Sequence, residues 1–206
     1  MTEYNDILYI VVPCYNEEEV LHETSKRLKE KMTTLINDRK ISDKSRVLFV
    51  DDGSKDRTWE IIEELHEGDD LFSGLKLSRN KGHQNALLAG LMTAKDLADI
   101  SISMDADLQD SPDEIPDMRR MILEEGYDMV SGWKLKRHDP IGKRWPSKFF
   151  NWTARAASGI RLHDFNCGLK AYRRKVVKAI EVYGEMHRFI PFLAKQAGFG
   201  RIGEKV

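Results

Sequence analysis

A chain of 206 residues is long enough for one domain with a sizeable core. Its hydrophobic fraction of 41% lies a little below the globular norm and its charged fraction of 33% lies above it. With 33 Lys and Arg against 34 Asp and Glu, the net charge of -1 excludes a global field that would draw the protein to nucleic acid, so charge arguments must be local.

Two cysteines, Cys14 and Cys167, lie far apart without metal-ligand spacing and read as small buried thiols in a reducing compartment. The N-terminal stretch lacks a basic region before its short apolar run, so it does not read as a secretory signal. No apolar run approaches the ~20 residues that span a bilayer. The expectation is a soluble, cytosolic chain whose last residues, GFGRIGEKV, look cut within an element.

In chain order, Ile7–Pro13 is a continuous apolar, β-branched run, the pattern of a strand buried on both faces. Asn16 is expected to cap a helix whose first turn holds Glu17, Glu18 and Glu19. Arg46–Asp52 is a second strand, followed by a Gly53-Ser54 turn, with Ser54 as cap, and a helix through Leu65. Gly74–Ser78 reads as a short third strand. Asn80-Lys81-Gly82 turns the chain into a helix from His83 to Lys95. Asp99–Asp105 is a fourth strand, Pro112 opens another helix, and Tyr127–Trp133 is a fifth strand. Strand and helix alternate five times, which predicts an α/β fold with a mostly parallel central sheet and helices on both faces. In such sheets ligands bind beyond the carboxyl ends of the strands. Three acidic or polar motifs stand at those ends: Pro13-Cys14-Tyr15-Asn16-Glu17, Asp51-Asp52-Gly53-Ser54 and Asp105-Ala106-Asp107.

Beyond residue 133 the character changes. Lys134, Lys136, Arg137, Lys143, Arg144 and Lys148 face a single acid, Asp139, and aromatic residues interleave. A short strand near Gly168–Tyr172 and helices near Arg174–Tyr183 and His187–Ala197 follow.

Asp105 and Asp107, one residue apart at a strand end, can both reach one hard cation, with Gln109 adding an amide oxygen. A Mg²⁺ or Mn²⁺ there would bridge a pyrophosphate. The plain alternative is a solvated acidic turn. A calcium loop is excluded, because Asp110 stands where the loop needs glycine and Pro116 where it needs glutamate. Asp51 and Asp52 suit hydrogen bonding to a base or ribose; a helix-capping turn is the other reading. The acid pocket of a phospho-receiver domain fits poorly, because it needs a single phosphorylatable Asp after a later strand.

Together, VVPCYNEEE (11–19), FVDDGSKDRTWE (49–60), LSRNKGHQNALLAGL (77–91), MDADLQDSPDEIPDM (104–118) and DFNCGLKAYRR (164–174) resemble the family 2 glycosyltransferases of the GT-A fold. The likeness is to the polyprenyl-phosphate sugar transferases, of the dolichyl-phosphate mannose synthase and bactoprenol glucosyltransferase type, and it covers nearly the whole chain. It implies that Pro13, Tyr15, Glu17, Asp51 and Lys81 line the nucleotide, with Asp52, Asp105 and Ala106 in the same nucleotide-sugar site. It implies that Asp105, Asp107 and Gln109 hold the metal and that transfer inverts the anomeric carbon. The Q-x-x-R-W motif of processive members is missing, which argues for single sugar transfers, and so are the C-terminal transmembrane helices of many polyprenyl-type members.

The resemblance makes Asp164 the candidate catalytic acid. A sugar-hydroxyl acceptor needs a general base there. A lipid phosphate, with a second pKa of about 6, needs cations more than a base, and Lys134, Arg137, Arg144 and Ser147 supply suitable donors. Asp164 is then expected to position groups more than to abstract a proton. Residues 140–158, with Trp145, Phe149, Phe150 and Trp152, are expected to lie on a cytoplasmic membrane surface, the alternative being that these aromatics are core. The whole chain then reads as one catalytic domain that moves a hexose to the lipid phosphate, 1–133 binding the UDP- or GDP-sugar and 134–206 the polyprenyl phosphate. The rivals are transfer of a hexose to a saccharide hydroxyl and a catalytically silent nucleotide-binding module. Arg173 and Arg174 are read as contacts to diphosphate or as caps of the following helix, Arg188 as lining the active site or, by default, as a surface salt bridge, and His83 and His163 as ordinary polar residues.

Overall fold

The computed structural model describes residues 5–107, 109–133, 159–160, 162–165, 167–180 and 190–205. These form seven strands: β1 (Leu8–Cys14), β2 (Arg46–Asp51), β3 (Phe72–Lys76), β4 (Ile100–Ser103), β5 (Met129–Gly132), β6 (Lys170–Arg173) and β7 (Ile202–Lys205). The helices are α1 (Leu21–Asn37), α2 (Thr58–Gly68), α3 (His83–Ala94), α4 (Ile115–Leu123), α5 (Arg174–Ala179) and α6 (Ile190–Gln196), with a 3₁₀ turn at Pro112–Glu114 ahead of α4.

The strands make one sheet in the order β3-β2-β1-β4-β6-β5-β7. Parallel pairing joins β1 to β2 and β4, β2 to β3, and β5 to β7. Strand β6 runs antiparallel to both β4 and β5. The sheet is therefore mostly parallel, as the sequence pattern predicts, with β6 as its one antiparallel strand. Alternation along β1 and β2 supplies both faces. Ile10, Val12, Val47 and Phe49 join one core with α1, α2 and α4. Val11, Leu48 and Val50 join the other, with α3, α5 and α6. Burial on both faces is why β1 and β2 are apolar without interruption.

The chain winds outward from β1 through β2 to β3 and then returns to place β4 on the other side of β1. The winding reverses between β1 and β4, the switch point at which open α/β sheets bind ligands. The β1–β4 pairing ends at Val11–Ser103, and Pro13, lacking an N–H, donates nothing to any ladder beyond it. The two strands part there, and the gap opens at the rim carrying the acidic motifs.

Several boundaries differ from those the sequence suggests. Strand β3 lies two residues earlier than Gly74–Ser78, its ladder with β2 closing on the bond from the Leu77 amide to the Asp51 carbonyl at 2.9 Å. Helix α1 starts at Leu21 rather than at the acidic triplet, and α2 at Thr58, neither capped by Asn16 or Ser54. Strand β7 has no counterpart in the sequence reading. Among the described residues no helix is long and apolar enough to cross a membrane.

Candidate active site

The loops after β1 and β2 hold each other. The Asn16 amide donates to Ser54 Oγ at 3.0 Å, and the Lys55 amide donates back to Asn16 Oδ1 at 2.8 Å. The Glu17 amide donates to Thr58 Oγ1, the Glu18 amide to Asp56 Oδ2, and the Arg57 amide to Glu18 Oε2. Asn16 and Ser54 thus spend their side chains on each other's loop instead of capping helices. Asn16 takes a left-handed backbone (φ 55) that Asn tolerates better than most residues. Asp56 Oδ1, one residue ahead of the uncapped N-terminus of α2, accepts from the Thr58 amide at 3.0 Å.

Asp51 and Asp52 end β2 fully buried. Asp51 Oδ1 accepts from the Ser54 amide, and Asp52 Oδ1 from the Lys81 amide at 2.7 Å. The second oxygen of each has no hydrogen-bond partner. A buried carboxylate oxygen without a donor is costly, and a ligand that supplies the donor removes that cost. Because both oxygens are covered, a ligand reaches them only if neighbouring side chains shift. Gly53 (φ 70) is required here: a Cβ would meet the backbone of Arg79 and Asn80 at 2.6 Å, the segment that delivers Lys81.

Beyond β4, Asp105 lies against Gly168, where any Cβ would collide with its carboxylate. His83, in the first turn of α3, places Nε2 3.4 Å from Asp105 Oδ1. Burial pushes the Asp105 carboxyl up, with Asp110 and Asp107 adding to the rise against His83 and Lys170. Glu17 is likewise raised by burial and by Asp107, Asp56 and Asp105. The carboxylates of Glu17, Asp105 and Asp107 thus share one electrostatic neighbourhood with too little positive charge. Asp107 Oδ1 accepts from the Gln109 amide, and both residues are exposed. Ala106 is buried and its carbonyl accepts from Thr24 Oγ1 of α1 at 2.7 Å.

This crowding of hard oxygen donors fits a divalent cation. Among the described residues no three His, Cys, Asp or Glu side chains form a complete ligand set. Mg²⁺ and related ions are commonly held by one or two carboxylates plus substrate phosphates and water, which Asp105 and Asp107 with Gln109 suit.

A cavity of about 250 Å³ lies where the first turns of α3 meet the end of β4 and the β6 strand with its preceding turn. Pro13 and Asp105 line it, and so do His83, Ser103, Lys170 and Tyr172. Ser103 Oγ donates to the Gly168 carbonyl at 2.7 Å and lies 3.4 Å from the Tyr172 hydroxyl, whose pKa burial raises.

Asp164 is buried, and a residue from the far edge of the sheet shapes its turn. Glu204 of β7 accepts from the His163 and Asp164 amides at 2.7 and 3.1 Å and from the His163 ring at 2.6 Å. The His163 ring stacks on Trp133 at 4.1 Å, and the Trp133 amide donates to the Lys205 carbonyl.

The structure thus gathers Pro13, Glu17, Asp51, Asp52, Lys81, Asp105 and Asp107 at one rim, with Tyr15 exposed beside them. Arg173 and Arg174 sit at the opposite rim. Arg173 donates to the Tyr127 and Ile122 carbonyls, and Arg174 pairs with Asp99 at 3.0 Å, so neither reaches a diphosphate bound at the acids. Lys134, Arg137, Arg144, Ser147, Arg188 and the 140–158 stretch lie outside the described residues. Sequence reasoning missed His83, Lys170 and Glu204. A usable signal existed for two of them: a parallel crossover returns each helix N-terminus to the rim, which places His83, and a lysine in the buried run Leu169–Tyr172 needs an acid partner. Cys14 and Cys167 are free and buried, as read from the sequence.

The fold is that of the GT-A glycosyltransferases, and comparison with known proteins agrees. The chain matches the model for glycosyl transferase family 2 over residues 9–181 and belongs to that family. The uncharacterized glycosyltransferase YkoT of Bacillus subtilis is 40% identical over 200 residues, covering 97% of this chain and 59% of YkoT. The undecaprenyl-phosphate 4-deoxy-4-formamido-L-arabinose transferase of Shewanella sediminis is 39% identical over 197 residues, covering 95% of this chain and 56% of the relative. The chain thus spans somewhat over half the length of these relatives. Among solved structures, glucosyl-3-phosphoglycerate synthase from Mycobacterium tuberculosis, in complex with Mn²⁺, UDP and phosphoglyceric acid, superposes with a TM-score of 0.70. It is 17% identical, over 97% of this chain and 68% of that one, a likeness that shows the GT-A fold.

Proposed function

We propose that this chain carries the catalytic domain of an inverting, divalent-cation-dependent glycosyltransferase that moves a sugar from a UDP- or GDP-sugar to a polyprenyl phosphate. The observation that carries the donor half is the set of partnerless or crowded carboxylates at the β1–β4 switch point. The acceptor half is supported by the undecaprenyl-phosphate transferases among the relatives.

In this reading Asp51 accepts from the base or ribose, Asp52 orients the Lys81 segment, and Tyr15 and Pro13 flank the nucleotide. Asp105, Asp107 and Gln109 hold a Mg²⁺ or Mn²⁺, which when bound supplies neutralisation of diphosphate charge. An acceptor phosphate oxygen forms the new bond to the anomeric carbon. The carbon–oxygen bond to the diphosphate breaks with its electron pair leaving on the nucleoside diphosphate, and the configuration inverts. A phosphate acceptor is largely dianionic at pH 7, with a second pKa of about 6, so no proton needs removing. Asp164, fixed by Glu204, then positions the acceptor side, and Lys134, Arg137, Arg144 and Ser147 are the proposed phosphate donors. The basic-aromatic stretch 140–158 is the proposed contact with the cytoplasmic membrane surface.

The test is a panel of UDP- and GDP-hexoses and -pentoses with Mg²⁺ or Mn²⁺, with and without undecaprenyl or dolichyl phosphate. Pentoses belong in it because the named sugar of the relatives is a modified arabinose. Lipid-dependent release of one nucleoside diphosphate supports the reading. Release that depends on a saccharide instead moves the acceptor to a sugar hydroxyl, and donor binding with no release under any acceptor overturns transfer by this chain.

A further inference from the structure

Lys170 opens β6, the antiparallel strand between β4 and β5, and stands in register with Ser103 on one side and Ser131 on the other. It is 5% exposed, a position where lysine is rare without acid partners. Its Nζ donates to the Cys167 carbonyl and so ties down the turn next to Gly168, against which Asp105 packs. Lys170 and Asp105 line the same cavity. On the other flank, Ser131 Oγ donates to the Asp164 carbonyl at 3.4 Å. Lys170 therefore sits between the strand that leads to Asp105 and the turn that carries Asp164.

We infer that Lys170 is a positioning residue of the transfer site, its buried ammonium serving as the fixed counter-charge that holds Asp105 and the Asp164 turn in place. This rests on the glycosyltransferase reading above. Burial pushes the Lys170 pKa down, and the charges of Asp105, Asp164 and Asp110 oppose that fall. One cation among three carboxylates leaves a surplus of negative charge. The lysine limits the repulsion among the acids enough for them to pack together, and the surplus remains available to a divalent ion. The other deeply buried cation among the described residues, Arg119, pairs with Asp6 at the opposite rim and cannot substitute.

This role differs from generic support in the sign of one effect. Removing a positive charge beside the acids makes the site more negative and tightens divalent-cation binding, even as the geometry for transfer degrades. The experiment compares the wild-type chain with Lys170→Met and Lys170→Arg. Mn²⁺ binding is read by electron paramagnetic resonance of the free ion, with UDP or GDP present, and thermal melting and lipid-dependent transfer are measured alongside. Lys170→Met should melt lower than wild type, because it leaves the crowded acids without their buried counter-charge. It should bind Mn²⁺ at least about threefold more tightly, while kcat falls at least about tenfold at an unchanged donor KM. Lys170→Arg should keep wild-type Mn²⁺ affinity and recover part of kcat. A Lys170→Met chain with both Mn²⁺ affinity and kcat at wild-type values overturns the assignment. So does one that loses kcat with Mn²⁺ affinity unchanged or weakened, which is the mark of a purely structural lysine. A wild-type chain that releases no nucleoside diphosphate in any donor panel fails the transferase reading instead, and the two failures are distinct.

Discussion

The two ends of the sheet treat charge in opposite ways. At the end where β1, β2, β3, β4, β5 and β7 begin, the buried charges Arg119 and Asp128 are matched, and so are more exposed ones around them. Arg119 forks onto Asp6, Arg173 donates to two carbonyls, Arg174 pairs with Asp99, and Lys175 reaches Asp128 at 2.6 Å. At the end where those strands stop, Asp51 and Asp52 each keep an oxygen without a donor, and Asp105 and Glu17 are pushed up by burial and by their acidic neighbours. The same backbone supports both ends. The first end is spent on stability, and the second holds an imbalance that a cation and a nucleotide would correct. Buried, paired charge marks structure, and buried, unpaired charge marks function.

Substitutions at the two ends should therefore separate activity from stability. The largest effect is expected from Asp105→Ala, which should lower transfer by roughly 10²–10³-fold, the equivalent of several kcal/mol of charge stabilisation. Its melting temperature should not fall, because a crowded carboxylate is removed; turnover assays beside thermal melts check both halves. Asp6→Ala should do the reverse. It removes the carboxylate that the buried Arg119 guanidinium forks onto and should cost about 1–3 kcal/mol of stability, with kcat unchanged in the folded fraction, as urea unfolding and turnover at low temperature would show. A lower kcat for Asp6→Ala would blur the distinction between the ends.

Smaller effects sharpen it. Asp51→Asn should weaken nucleoside diphosphate binding about tenfold without loss of stability, measured by calorimetry. Glu204→Ala leaves the His163 and Asp164 amides without their acceptor and should cost about 1–2 kcal/mol; it should slow transfer while leaving donor binding unchanged. The smallest expected signal concerns the thiols. Burial pushes Cys167 up to about 11 and Cys14 well above its usual range. The thiolate is the reactive form, and it is scarce at every pH below those values. Neither thiol should therefore react with a thiol reagent at pH 8 until the chain is unfolded, when both should.

Legibility in the sequence followed the same division. Strands β1 and β2 were readable because burial on both faces forces an unbroken apolar run, and the acids closing β2 and β4 stood out as the polar residues ending such runs. The GT-A fold and the family follow from those motifs. Strand β6 was readable near Gly168–Tyr172, but its antiparallel direction was not, and β7 was not readable at all: Glu204 interrupts any apolar pattern there, and tertiary partners far along the chain decide its place. Glu204 meets His163 and Asp164 across about 40 residues, a contact no local spacing encodes. Asn16 and Ser54 read as helix caps because both types cap well, yet the loop partner 38 residues away wins.

Calorimetric titration of UDP and GDP, with and without Mn²⁺, onto the wild-type chain and Asp105→Ala tests the central claim most directly. Binding of one nucleoside diphosphate should saturate, require Mn²⁺ and disappear in Asp105→Ala. Equal affinity in the two proteins, or binding indifferent to Mn²⁺, would contradict it.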